Sequence, residues 1–206
     1  MQGLKRAKAK SGQSNQLRII GGQWRGRKLN FADGEGLRPT MDRVRETLFN
    51  WLQADIVGAR CLDLFSGSGA LGLEALSRYA AEVVMIDKNP QAIQMIRQNL
   101  ALLQVENAQL IQTDAKAYLQ SHSLQKQALA SEKTFDIVFL DPPFNQHLVP
   151  VFCGLLQQSQ CLSDKALIYI EVEKNTPLPP LPNGWTVLKE KKTGQLAYFL
   201  INVHKK

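Results

Sequence analysis

At 206 residues, with 44% hydrophobic and 21% charged side chains, the chain is long enough for one α/β domain with a proper core plus a small appendage. No run approaches the roughly 18 apolar residues of a membrane span, and the basic start of the chain lacks the apolar stretch of a secretory signal. The three cysteines have no C-x-x-C spacing and the three histidines are scattered, which argues against a structural metal or a disulfide framework and fits a cytoplasmic protein. The net charge of +7 is unevenly placed: residues 1–45 carry eleven Lys/Arg against three acidic residues, while the remainder sums to −1. Such asymmetry points to a polyanionic partner, most simply nucleic acid.

Residues 1–16 have almost no large apolar side chains and are expected to be a disordered basic tail. Residues 17–20, the turn at Gly21-Gly22 and residues 24–29 predict a β-hairpin that presents Arg18, Arg25, Arg27 and Lys28 around Trp24. Cations interleaved with an aromatic ring suit RNA, with guanidinium groups on phosphates and a ring for a splayed base. Trp24 equally fits as an anchor of the hairpin on the core, and the two roles use different faces. Thr40 predicts an N-cap for a helix with Val44, Leu48, Trp51 and Leu52 on one stripe. This helix precedes a glycine-rich turn, so Thr40 and Arg43 are candidates to face a ligand there.

The apolar run ending at Asp63, then Ser66, Gly67 and Gly69, then a helical pattern with Glu74 and Arg78 outward, predicts the first strand–turn–helix unit of a nucleotide-binding sheet. Read literally, Gly67-x-Gly69-x-x-Gly72 is also the dinucleotide fingerprint of an NAD-linked oxidoreductase. Asp63 separates the two readings: a carboxylate there would repel a pyrophosphate, whereas it would hold the ammonium group of S-adenosylmethionine. It also fits as a strand-end carboxylate satisfied by local N–H groups. Residues 82–86 predict a strand ending at Asp87, spaced from Gly67 as the ribose-binding acid of such sheets is. Asn89-Pro90 starts the next helix. Residues 108–112 predict a third strand, with Asp114-Ala115 at its end. In a parallel sheet Asp63, Ser66, Asp87 and Asp114 converge on one edge, though each carboxylate alone also fits as a helix cap.

Residues 135–140 read as a buried parallel strand running into Asp141-Pro142-Pro143-Phe144. The prolines remove two N–H donors and keep Asp141 extended. What remains is a rigid edge of acceptors, the Asp141 carboxylate and the Pro142 carbonyl, beside the Phe144 ring. That arrangement orients the exocyclic amine of a nucleobase, and it also fits a plain strand-exit turn. A helix over 148–158, a strand over 166–171, a proline-rich connector over 177–182 and a hairpin of 185–191 with 195–203 complete the pattern.

The motifs RIIGGxWRGR (18–27), RPTxDRVRETLFN (38–50), LDxFxGSGALG (62–72) and DPPF (141–144) resemble those of the class I S-adenosylmethionine-dependent methyltransferases. More narrowly, the chain from residue 17 onward is similar to the bacterial 16S ribosomal RNA (guanine-N2)-methyltransferases. The resemblance implies a doubly wound α/β fold, a mostly parallel seven-stranded sheet with an antiparallel closing strand, and a small N-terminal hairpin. It implies S-adenosylmethionine as cofactor, its methionine part held by Asp63, Ser66, Gly67 and Gly69, its ribose by Asp87 and its adenine by Asp114. Asp141, Pro142, Pro143 and Phe144 would take the target guanine, and residues 17–36 would contact 16S rRNA in a partly assembled small subunit. Residues 37–206 would be the catalytic domain of a monomer. Three other readings stay open: a methyltransferase for another base amine such as adenine N6, an NAD-linked oxidoreductase, and a non-catalytic RNA-binding assembly factor.

Overall fold

A computed structural model describes residues 15–31, 42–128, 134–144 and 147–204. Thr40 and most of the expected tail lie outside the described residues. The chain opens with β1 (Asn15–Arg18), a 3-10 turn (Gly22–Trp24) and β2 (Lys28–Phe31), followed by α1 (Asp42–Trp51). Three strand–helix units follow: β3 (Arg60–Asp63) with α2 (Ala70–Ser77), β4 (Glu82–Asp87) with α3 (Pro90–Leu102), and β5 (Ala108–Gln112) with α4 (Ala115–Ala128). Then come β6 (Phe135–Leu140), α5 (Leu148–Ser159), β7 (Leu162–Glu173), β8 (Trp185–Thr193) and β9 (Leu196–Val203).

The main sheet has seven strands in the order β5-β4-β3-β6-β7-β9-β8. The five from β5 to β7 are parallel, β9 runs antiparallel between β7 and β8, and β1 pairs with β2 in a separate two-stranded hairpin. The chain winds outward one way from β3 through β5 and then restarts on the other side at β6. The topological switch therefore falls between β3 and β6, where sheets of this kind open a crevice for ligands. Strand alternation divides the core in two. Cys61, Ile137, Phe139 and Tyr169 pack with α1 and α2 on one face, and Leu62, Val138, Leu140 and Ile170 pack with α5 on the other.

Three local expectations change. The second strand of the hairpin is Lys28–Phe31, because residues 22–27 form a 3-10 turn and a tight reversal, with Gly26 N–H bonded to the Ile19 carbonyl at 2.8 Å. The first strand begins at Asn15, inside the segment expected as tail. Glu74 is not outward but fully buried, and every residue of α2 is buried, because the hairpin covers the helix face that local patterning assigns to solvent.

Candidate active site

Asp63 ends β3 at 2% exposure. Beyond it the chain turns sharply. The Ser66 hydroxyl donates to the Asp63 carbonyl at 3.1 Å, and Gly69 N–H donates to the Ser66 carbonyl at 2.6 Å. Gly69 has φ 79°, a left-handed conformation that glycine adopts without a Cβ clash, and α2 starts immediately after it. The Asp63 carboxylate folds back on that helix, where Oδ2 accepts Gly72 N–H at 3.2 Å. No cation pairs with it among the described residues. Burial, with help from the charges of Asp141 and Asp87, pushes the Asp63 carboxyl up to about 8.

Asp87 ends β4 and clamps the turn: Oδ2 accepts Gly67 N–H at 2.7 Å and Oδ1 accepts Asn89 N–H at 2.7 Å. Asn89 in turn caps α3, with Pro90 at the first helical position. Asp114, beyond β5, accepts the N–H groups of Lys116 and Ala117 at 2.9 and 3.2 Å, so it does cap α4; Ala115 beside it is buried. Asp63, Ser66, Gly67, Asp87 and Asp114 thus share one sheet edge. Arg43 is exposed on α1, and Arg45 of the same helix is buried.

Asp141 follows β6 on the same edge. β3 and β6 are parallel neighbours with Asp63 opposite Phe139, and Leu64 N–H donates to the Phe139 carbonyl at 3.2 Å. The two exits therefore face each other across the switch point, with the Asp141 charge near enough to raise Asp63. Pro142 is buried, Pro143 is exposed and Phe144 is 43% exposed. A cavity of about 390 Å³ runs from Pro142, Pro143 and Phe144 to Glu171 near the end of β7. Glu171 is a site candidate that the sequence reading misses, although it carries the same signal as the others, an acid closing an apolar parallel strand. Its carboxyl accepts the Tyr169 hydroxyl at 2.6 Å. Burial first, then the Asp141 charge, push it up to about 8. Burial also raises the Cys153 thiol to about 12 and the Cys61 thiol further, which removes both as nucleophiles near neutral pH.

The hairpin is tied to α2 through Glu74. That carboxylate accepts Ile20 N–H and Gly21 N–H at 2.8 Å each and Arg78 Nε–H at 2.8 Å, with Arg45 Nη1 3.9 Å away. The Ser77 hydroxyl donates to the Gly21 carbonyl at 2.6 Å. Gly22 has φ 74° and lies so close to the Ser77 carbonyl that a Cβ would collide with it. Trp24 is half-buried against the core, so its anchoring role is met. Arg25, Arg27 and Lys28 are exposed, and Arg18 is exposed but paired with Asp42 at 3.5 Å. Among the described residues no group of His, Cys, Asp and Glu is arranged to hold a metal ion, and no helix is long and apolar enough to cross a membrane.

The family described as Conserved hypothetical protein 95 matches residues 17–202. The chain is 49% identical over 187 residues to the ribosomal RNA small subunit methyltransferase D of Escherichia coli K12, covering 91% of this chain and 90% of that protein. It is 45% identical to the protein of the same name from Haemophilus influenzae, covering 90% and 93%. Among solved structures, a putative methyltransferase (yhhF) from Escherichia coli superposes with a TM-score of 0.82 at 46% identity, covering 92% of this chain and 99% of that one.

Proposed function

This chain belongs to the Conserved hypothetical protein 95 family, and from that premise we propose that it transfers a methyl group from S-adenosylmethionine to N2 of a guanine in 16S rRNA. The observation that carries this reading is the juxtaposition of the β3 and β6 exits, one lined by a buried carboxylate and the other by Asp141-Pro142-Pro143-Phe144. The relatives' names support methyl transfer on small-subunit ribosomal RNA and do not favour an NAD-linked oxidoreductase. A partly assembled small subunit is the proposed substrate, met in the cytoplasm by a monomer.

The residues present fit the cofactor. Asp63 lacks a cation among the described residues, and burial first, then the charges of Asp141 and Asp87, raise its carboxyl, so a ligand bearing positive charge relieves the site. Gly67 and Gly69 keep the turn free of side chains where a ligand would lie against backbone. In this reading Asp63, Ser66, Gly67 and Gly69 hold the methionine part, Asp87 the ribose, and Asp114 with Ala115 the adenine end, with Thr40 and Arg43 as further candidates for the ligand's carboxylate. When bound, S-adenosylmethionine supplies a methyl group activated by the adjacent sulfonium.

The chain's own work is positioning. The Asp141 carboxylate and the Pro142 carbonyl accept the two hydrogens of the guanine amine, favour a pyramidal nitrogen, and Asp141 takes the released proton. Phe144 stacks on the base, which must leave any helix to arrive there. Orientation of this sort is worth up to roughly 7–11 kcal/mol of barrier. On the other side of α2, Arg18, Arg25, Arg27 and Lys28 meet phosphates, and Trp24 keeps the hairpin in place. Unmodified small subunits incubated with labelled cofactor and digested to nucleosides test the proposal: label should appear in N2-methylguanosine. Label in N6-methyladenosine, or none from active protein, would overturn it.

A further inference from the structure

Asp141-Pro142-Pro143-Phe144 supplies acceptors for an exocyclic amine and nothing else, so by itself it does not distinguish guanine from adenine or cytosine. Those bases differ at the ring nitrogen beside the amine. Guanine presents a donor there, N1–H. Adenine and cytosine present a lone pair, at N1 and N3. Discrimination therefore calls for a second acceptor next to the Asp141 carboxylate, on the side away from the methyl donor.

Glu171 occupies that position. Asp63 pairs with Phe139 across β3 and β6, and Phe139 pairs with Tyr169 across β6 and β7. Asp141 and Glu171 each lie two residues further along their strands, so both return to the face of the sheet that carries Asp63. Three carboxyls then follow in strand order: Asp63 on the cofactor side, Asp141 in the middle, Glu171 beyond. The nearness is felt electrostatically, since the Asp141 charge acts on both its neighbours. Glu171 is 4% exposed and lines the same cavity as Pro142, Pro143 and Phe144. The one hydrogen bond to its carboxylate among the described residues is the Tyr169 hydroxyl donated to Oε2, which leaves Oε1 without a donor. A buried carboxylate that served structure alone would be supplied as Glu74 is, by several donors at once.

We propose that Glu171 is the specificity-determining residue of the site, accepting N1–H of the target guanine through Oε1 while Asp141 holds the N2 amine. The Tyr169 hydroxyl fixes the carboxylate plane and donates to the oxygen that does not meet the base. The N1–H donor of guanine favours the ionised form of Glu171; once ionised, its oxygen faces the ring lone pair of any other base and is left unpaired, the kind of mismatch that gives large discrimination. The inference rests on the proposed base methylation, and the two fail separately.

The test uses small subunits reconstituted with 16S rRNA in which the one guanine that takes label is replaced by 2-aminopurine. That base keeps the 2-amino group but has a lone pair at N1. Wild-type protein that fails to form N2-methylguanosine on natural rRNA removes the proposed function, and this inference with it. Where it does form, wild type assayed at about pH 8.5, where Glu171 with its value of about 8 is mostly ionised, should modify 2-aminopurine at least roughly a hundredfold more slowly than guanine. Glu171→Gln, whose amide can donate to the N1 lone pair, should lose at least tenfold on guanine and bring the ratio between the two bases towards one. Its binding of S-adenosylhomocysteine should stay within about twofold of wild type, which also reports that it folds. A Glu171→Gln protein that keeps the wild-type ratio overturns the inference. If the variant does not fold, wild type decides: equal rates on the two bases overturn it and the hundredfold gap upholds it.

Discussion

Glu74 and Asp63 are both buried carboxylates against α2, yet they are supplied in opposite ways. Glu74 takes two backbone N–H groups and the Arg78 guanidinium, with Arg45 close by, and in doing so fastens the basic hairpin to the sheet domain. Asp63 meets only backbone N–H groups, of Gly72 at 3.2 Å and of Phe65, has no cation among the described residues, and sits among other acids. The first is an internal joint whose charge is balanced by the chain itself. The second is left short of positive charge, as a site awaiting a cationic ligand should be. Burial of an acid therefore says little about function until its donors are known.

Four variants bear on that contrast, in order of expected effect. Glu74→Gln should cost about 3 kcal/mol of stability, because it takes the carboxylate charge away from buried Arg45 and from Arg78. A urea midpoint unchanged from wild type would mean that the joint is not held by charge. Asp141→Ala should lower methyl transfer at least roughly a hundredfold while RNA affinity, measured by filter binding, changes little. Unchanged turnover would remove Asp141 from the chemistry.

Asp63→Asn should weaken S-adenosylmethionine binding about tenfold by calorimetry, since a charge-assisted hydrogen bond becomes a neutral one, yet leave the folded protein no less stable. It should also alter the pH profile. The folded protein keeps the Asp63 proton up to about 8, whereas the unfolded chain releases it near the ordinary 3.8. The folded state therefore binds more protons between those values, and wild-type stability falls as pH rises from about 4 to 8. With nothing to titrate at this position, Asp63→Asn should lose less over that range; an identical slope would show that burial does not control Asp63. Replacing Arg25, Arg27 and Lys28 together by Ala should reduce the salt dependence of RNA binding, by a slope of roughly 0.7–0.9 for each phosphate that is no longer neutralised. The melting temperature should not move, since all three are exposed. An unaltered salt slope would confine the hairpin to a structural role.

Much of this molecule is legible in the chain because its signals are local. Alternating strand and helix patterns, the Gly67-x-Gly69 turn and the acids closing successive strands each depend on a few adjacent residues. So does Asp141-Pro142-Pro143-Phe144, where two prolines dictate their own backbone. The misreadings share a cause. Patterning turns Glu74 outward because a charged residue on a helix normally faces water, but the hairpin covers that face, and its arrival brings together segments more than fifty residues apart. The same hairpin receives the buried Arg45 of α1, which donates to the Arg18 carbonyl. Residues 24–29 read as strand, yet residues 22–27 form a hydrogen-bonded reversal that packs on α2, with Gly22 against the Ser77 carbonyl. Composition, periodicity and strand-end chemistry thus determined the α/β class, the switch-point site and the methyl-transfer reading. Only the tertiary structure decided which buried acids are neutralised by the chain and which, Asp63 and Glu171, have no cation paired with them among the described residues, because a carboxylate's charge balance depends on donors from every segment that packs around it.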